Sequence, residues 1–132
     1  MIPYGISKNK ILKVVNSILP RNKAVREFGL VFVSVEKMIE LNKKYRGQAR
    51  PTNVLSFKAD ANELGAGDVV ICSKVVAEEA KTYGFTHKNW MTRLIVHGIL
   101  HLVGYDHDTV TLQKQMEKLE KNVLSKLGIV FN

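Results

Sequence analysis

The run from Trp90 to Leu102 leaves this chain few choices. Trp90, Met91, Leu94, Ile95, Val96, Ile99, Leu100 and Leu102 fall on every side of a 3.6-residue helix rather than along one stripe. Such a helix cannot lie at a surface with one face in water. It is expected to begin near His87 and to run through the middle of the molecule, with the other elements packed around it. Two polar side chains, His97 and His101, interrupt it, and a helix buried on all sides tolerates them only if each finds a partner.

The two histidines are four residues apart, which places them about 40° and roughly 6 Å apart on one helical face. Gly104 follows and can take the left-handed conformation that stops a helix. His107 then arrives from off the helix. Two ligands from a rigid face and a third from a turn is the arrangement a tetrahedral metal site needs. The stretch reads H-G-I-L-H-L-V-G-Y-D-H and holds three of the four histidines in the chain. A lone histidine in an apolar helix is ordinarily a hydrogen-bonded core residue, but three at ligand spacing around a glycine point to a metal. His87 lies outside that spacing and reads as a surface residue at the helix start.

The H…H…G…H frame is shared with the zinc metalloproteases written H-E-x-x-H-x-x-G-x-x-H. Gly98 stands where they carry the Glu that acts as general base. The metal frame is kept and the proteolytic base is missing, which argues against a metallopeptidase. Met116 sits in helical register with apolar neighbours and reads as core rather than as a methionine beneath the metal.

At 132 residues the chain is expected to form one domain. No apolar run approaches the roughly 20 residues of a membrane span, and no secretory leader is signalled. The single cysteine, Cys72, excludes an internal disulfide, fits a reducing cytoplasm and reads as a small apolar strand residue. Twenty basic against twelve acidic residues give a net charge of +8, which attracts polyanions. Beside a metal site, that charge shifts the expected substrate towards nucleic acid.

Taken in order, Ser7 is expected to cap a helix carrying Ile11, Leu12, Val15, Ile18 and Leu19, ended by Pro20. Gly29 to Val35 reads as a strand covered on both faces. A helix from Glu36 to Tyr45 and a strand from Asn53 to Phe57 follow, implying a right-handed crossover and a parallel pair. Lys58 to Ala66 reads as a polar loop that permits an antiparallel return into the strand Gly67 to Cys72. Ser73 is expected to cap a helix closed by Gly84. A last helix begins near Thr109, with Leu112, Met116, Leu119, Val123 and Leu127 facing inward. The whole is a single α/β domain: a small mixed sheet of three to four strands packed with about five helices, the central one carrying two ligands.

The histidine motif, together with Tyr45-Arg46-Gly47, Pro51-Thr52-Asn53-Val54-Leu55-Ser56-Phe57 and Gly67-Asp68-Val69-Val70-Ile71-Cys72, resembles the YbeY-type proteins. These are bacterial metal-dependent endoribonucleases linked to ribosomal RNA maturation. The motifs occur in the family's order and span residues 45 to 107. Lys58 departs from the family by standing where many relatives have Pro, and the N-terminus is too short for a full leading strand. The resemblance implies a single-strand endoribonuclease acting on the 3′ end of 16S ribosomal RNA and in ribosome quality control, with ribosomal subunits and proteins as partners. It implies one divalent metal, zinc by preference, on His97, His101 and His107, and catalytic roles for Arg46 and His97. The Arg46 guanidinium offers a planar fork of donors matched to phosphate, with Lys43, Lys44 and Arg50 close by as RNA contacts.

Several assignments stay open on sequence. Asp106 and Asp108 suit either an acceptor for a ligand N–H and a base acting through water, or turn and cap residues, the latter favoured for Asp108. Ser56 and Asp68 suit the cleft or the strand ends equally. The nucleophile is either water or the RNA 2′-hydroxyl. A second class of function is a non-catalytic basic RNA-binding factor for ribosome assembly with a structural metal. That class requires a fourth protein ligand, for which Cys72, Asp106 and His87 are the candidates.

Overall fold

The computed structural model describes residues 2–60 and 65–131. Five helices surround a three-stranded mixed sheet: α1 Lys8–Ile18, β1 Gly29–Val33, α2 Val35–Arg46, β2 Val54–Lys58, β3 Gly67–Cys72, α3 Ser73–Tyr83, α4 His87–Leu102 and α5 Val110–Lys126. Short 3-10 turns at Pro3–Gly5 and Arg21–Lys23 complete the regular structure among the described residues. Part of the expected polar loop, residues 61–64, lies outside them.

Helix starts follow local chemistry. The side chains of Ser7, Ser34, Thr86 and Thr109 accept the N–H of Lys10, Lys37, Asn89 and Leu112, each satisfying one donor that a helix leaves free at its first turn. Ser73 is not a cap. It is the first residue of α3, and Cys72 precedes it without a side-chain cap bond.

The strand order is β1-β3-β2, with β1 parallel to β3 and β2 antiparallel to β3. The expected parallel pairing of β1 with β2 does not form, because β3 inserts between them. The reason lies in burial: Val69, Val70, Ile71 and Cys72 are all buried, and a strand apolar on both faces belongs in the centre of a sheet. The antiparallel return of β2 into β3 is as expected. β1 takes an edge, and its Val31 is 44% exposed, so it is not covered on both faces.

Side chains of β3 alternate between two cores. Val69 and Ile71 meet α4 and the larger cluster, while Val70 and Cys72 meet Met38 of α2 and Leu55. α4 is the centre the sequence requires, with nine buried residues among them Ile95 and Ile99. Full burial of each such side chain is worth roughly 1.5–3 kcal/mol. On α5, Met116 and Val123 are buried as expected, but Leu112 is exposed because the first turn of that helix extends past the core.

One contact sets the depth of α4 against the sheet. A Cβ on Gly98 would lie 2.7 Å from Val69 Cγ1 and 3.2 Å from Ser56 Oγ. The Ser56 hydroxyl donates to the Gly98 carbonyl at 2.9 Å. Residue 98 is therefore glycine because helix and sheet touch there. The position that carries the protease base elsewhere faces a wall with no room for a carboxylate.

Candidate metal centre and its cleft

His97 and His101 project from the last two turns of α4. The chain after Leu102 is bent back by a set of local bonds. Gly104 takes φ 99°, its N–H reaches His101 O at 3.1 Å, and Tyr105 N–H reaches Leu100 O at 3.0 Å, closing the helix end. Lys23 donates to Val103 O at 2.9 Å and lies 5.0 Å over the Tyr105 ring, pinning the same corner from outside. The Asp106 carboxylate accepts the N–H of both His107 and Asp108, a local turn that aims His107 towards the helix. The His107 N–H holds the Asp106 carboxyl below its usual range, and its hydrogen bond to Asp106 raises that of Asp108. Asp106 is thus a turn former, and the cap of α5 is Thr109 rather than Asp108.

The three imidazoles converge. One ligand atom from each lies within 4.8 Å of the others, and Nε2 of His97 is 3.0 Å from Nε2 of His101. Metal–nitrogen bonds of about 2.0–2.1 Å at tetrahedral angles put neighbouring donors roughly 3.3 Å apart, so the observed separation fits a metal with little adjustment. Burial, and then the neighbouring His97 and His107, lower the pKa of His101 to about 4. It is therefore a neutral imidazole near pH 7, with a lone pair available for a metal. Among the described residues no further His, Cys, Asp or Glu joins this group. Cys72 is buried in the smaller core, and His87 is engaged with the Tyr4 hydroxyl at 3.1 Å.

Glu120 belongs to no motif in the sequence, yet its side chain touches the histidine group directly. Only 4% exposed, its carboxylate meets Nδ1 of His97, and its other oxygen lies 3.9 Å from Arg93 Nε. In a neutral His97 this contact places the proton on Nδ1 and the lone pair on Nε2, the atom facing His101. The available signal was register: Glu120 lies between Met116 and Val123 on the inward face of α5, where a carboxylate needs a partner.

A cleft of about 450 Å³ opens over the histidines, with Arg46, Asn53, Ser56, Lys58 and Tyr105 on its walls. Arg46 ends α2 and Gly47 turns the chain away in a left-handed cap. Of the basic residues expected beside it, Lys43 and Lys44 are exposed but do not line the cleft, Lys44 lying 5.2 Å over the Tyr45 ring. Arg50 donates to Gln48 and borders an adjoining groove that also contains Arg46. Lys58 brings a further charge to the lip of the cleft. Ser56 lines the cleft, whereas Asp68 is exposed and borders a different hollow near Phe57.

The family model described as Endoribonuclease YbeY matches residues 5–128. The chain belongs to the YbeY endoribonuclease family. Curated relatives carrying that name include one from Bartonella quintana, 40% identical over 132 residues and covering 96% of this chain and 83% of its own. Another, from Acinetobacter baumannii, is 44% identical over 112 residues, or 78% of this chain and 71% of the relative. Among solved structures, the solution structure of TM1509 from Thermotoga maritima superposes with a TM-score of 0.58 at 28% identity. That match covers 92% of this chain and 81% of the other. Membership of the YbeY family fits RNA processing and a metal-dependent site. Among the described residues no helix is long and apolar enough to cross a membrane.

Proposed function

We propose that the protein is a metal-dependent, single-strand endoribonuclease of ribosomal RNA. The observation that carries this reading is one cleft holding both the three-histidine group and the Arg46 guanidinium. Three imidazole ligands would leave a fourth position for water or substrate, whereas a purely structural metal needs a fourth protein ligand. For that reason the enzyme is preferred over a binding factor. When bound, a divalent metal, with zinc suited to imidazole donors, supplies Lewis-acid polarisation of a phosphoryl oxygen.

The chain's own residues supply the rest. Glu120 orients His97, and the Asp106 turn holds His107 in place. Arg46, on the wall of the same cleft, would receive non-bridging phosphate oxygens in a bidentate pair and offset charge that develops during cleavage. The net charge of +8 draws RNA towards the cleft. Action at the 3′ end of 16S ribosomal RNA, work on ribosomal subunits and their proteins, and a cytoplasmic location complete the proposal. They rest on the family and on the lone, unpaired Cys72.

The test is cleavage of a structured ribosomal RNA by purified protein, with and without chelator, with His97→Ala as control. Chelator-sensitive cutting of unpaired segments that the variant lacks is the expected result. Chelator-insensitive cutting, or equal cutting by His97→Ala, would remove the metal centre from the mechanism.

A further inference from the structure

A second cavity, of about 300 Å³, adjoins the first at the histidine group and shares Asn53, Val54, His97 and His107 with it. Its character is different. Leu94 and Met116 form an apolar floor, Trp90 and Arg93 a wall, and Gln113 and Glu117 of α5 the rim. Its volume is at the lower end of small-ligand sites, which run from roughly 300 to 1,000 Å³. His97, His107 and the buried Glu120 also line it, but the proposed phosphate chemistry uses none of its other side chains.

We propose that this cavity is a nucleobase subsite, taking the base of a nucleotide that flanks the scissile phosphate. The inference rests on the nuclease reading. A phosphodiester held at the histidines has one nucleotide on each side, and both cavities border His97 and His107. The first is walled by Arg46, Lys58, Asn53 and Ser56, groups suited to the sugar-phosphate chain. The second offers what a base requires: apolar surface below and a planar cation beside it. The Arg93 guanidinium lies 5.5 Å from the centre of the Trp90 ring and 4.8 Å from that of Phe131, contacts that keep a cation beside the cavity where it can meet the edge or face of a base. At the rim Gln113 Nε2 donates to Glu117 Oε1 at 3.1 Å, which orients the carboxylate as an acceptor. A carboxylate at a base edge accepts from exocyclic amines, so cytosine, adenine and guanine are favoured over uracil.

Trp90 is the only tryptophan in the chain, so its emission reports on this cavity without any need for turnover. Metal-loaded protein would be titrated with cytidine, adenosine, guanosine and uridine 5′-monophosphates and with ribose 5-phosphate. The expected result is a saturable change with the first three, a weaker one with uridine monophosphate and none with ribose 5-phosphate. Gln113→Phe fills the mouth from an exposed helix position and should weaken the response by roughly tenfold, the scale of a lost base stack. Glu117→Ala should erase the preference over uridine. A response to ribose 5-phosphate equal to that of the nucleotides, or one indifferent to Gln113→Phe, would overturn the subsite.

A parallel single-turnover assay would use an RNA with abasic sugars placed one at a time around the cut. Loss of rate at one position in wild type, and not in Gln113→Phe, supports the proposal; uniform rates refute it. If no RNA is cut at all, the nuclease reading fails, and the fluorescence titration still decides whether bases bind.

Discussion

Replacing Glu120 by Gln tests whether the α5 carboxylate serves the metal or the fold. Glu120 is almost fully buried, its carboxylate meets His97 Nδ1, and its second oxygen has only Arg93 at 3.9 Å. That ion pair is long and its arginine is partly in water, so it contributes little. The hydrogen bond to His97 dominates, and outer partners of this kind typically account for 10–100-fold in metal affinity. Glu120→Gln keeps an acceptor of the same shape but removes the charge that raises the donor strength of His97. Metal affinity should fall by that factor, about 1.4–2.8 kcal/mol. Stability without metal should move the other way or hardly at all, because a buried carboxylate with imperfect partners carries a desolvation cost that the amide avoids. A rise of 1 kcal/mol would appear as roughly 3–5 °C in Tm for a domain of this size. Competition with a chromophoric chelator measures the first quantity, and melting in excess chelator the second. Unchanged metal affinity would refute the role assigned to Glu120, and a Tm loss of many degrees without metal would make it a structural residue.

Other consequences are as direct. Gly98→Ala should destabilise by about 1–3 kcal/mol in chemical denaturation, since its Cβ meets Val69 at 2.7 Å; Gly98→Glu should fail to fold rather than acquire peptidase activity, which a casein assay would check. Arg46→Lys should keep the fold but lose roughly tenfold or more of single-turnover RNA cleavage at saturating protein, because the charge survives while the bidentate fork does not. Lys43→Ala and Lys44→Ala should instead weaken binding and flatten its salt dependence by about one phosphate contact each, read from binding at several salt concentrations. Burial and its histidine neighbours hold His101 near pKa 4 in the fold, against about 6.5 when unfolded. The unfolded chain therefore takes up more protons between those values, so metal-free stability is complete above pH 6.5 and falls as pH drops towards 4, by at most about 3 kcal/mol. Urea melts at pH 7 and pH 4.5 would show it, and an equal loss in His101→Ala would assign the effect elsewhere.

The convergence of His97, His101 and His107 was legible because the three fall within a short stretch and a helix converts spacing into direction. The central place of α4 was legible for a similar reason: residues apolar on all sides admit one environment. Strand order was less so. Hydrophobic runs identify strands one by one, but whether β3 inserts between β1 and β2 depends on which of three apolar strands is most completely covered. Glu120 lies 23 residues from His97, and only the packing of α5 on α4 brings them together; a single carboxylate in an apolar register announces that it needs a partner without naming it. The basic residues near Arg46 show the same limit, since neighbours in sequence at a helix end point in different directions and only Arg46 reaches the cleft.

The histidines sit at the C-terminal end of α4, where the aligned peptide dipoles amount to about half a negative charge. Lys23 spends its ammonium on the Val103 carbonyl at that end, which leaves the remaining field to the imidazoles. This end of a helix welcomes a cation and repels an anion, the reverse of the helix starts at which phosphates are usually held. A phosphate therefore meets an unfavourable field here until a divalent ion reverses its sign. On the proposed function, removing the metal would therefore weaken the hold on phosphate at the histidines while the long-range attraction set by the net charge of +8 persists.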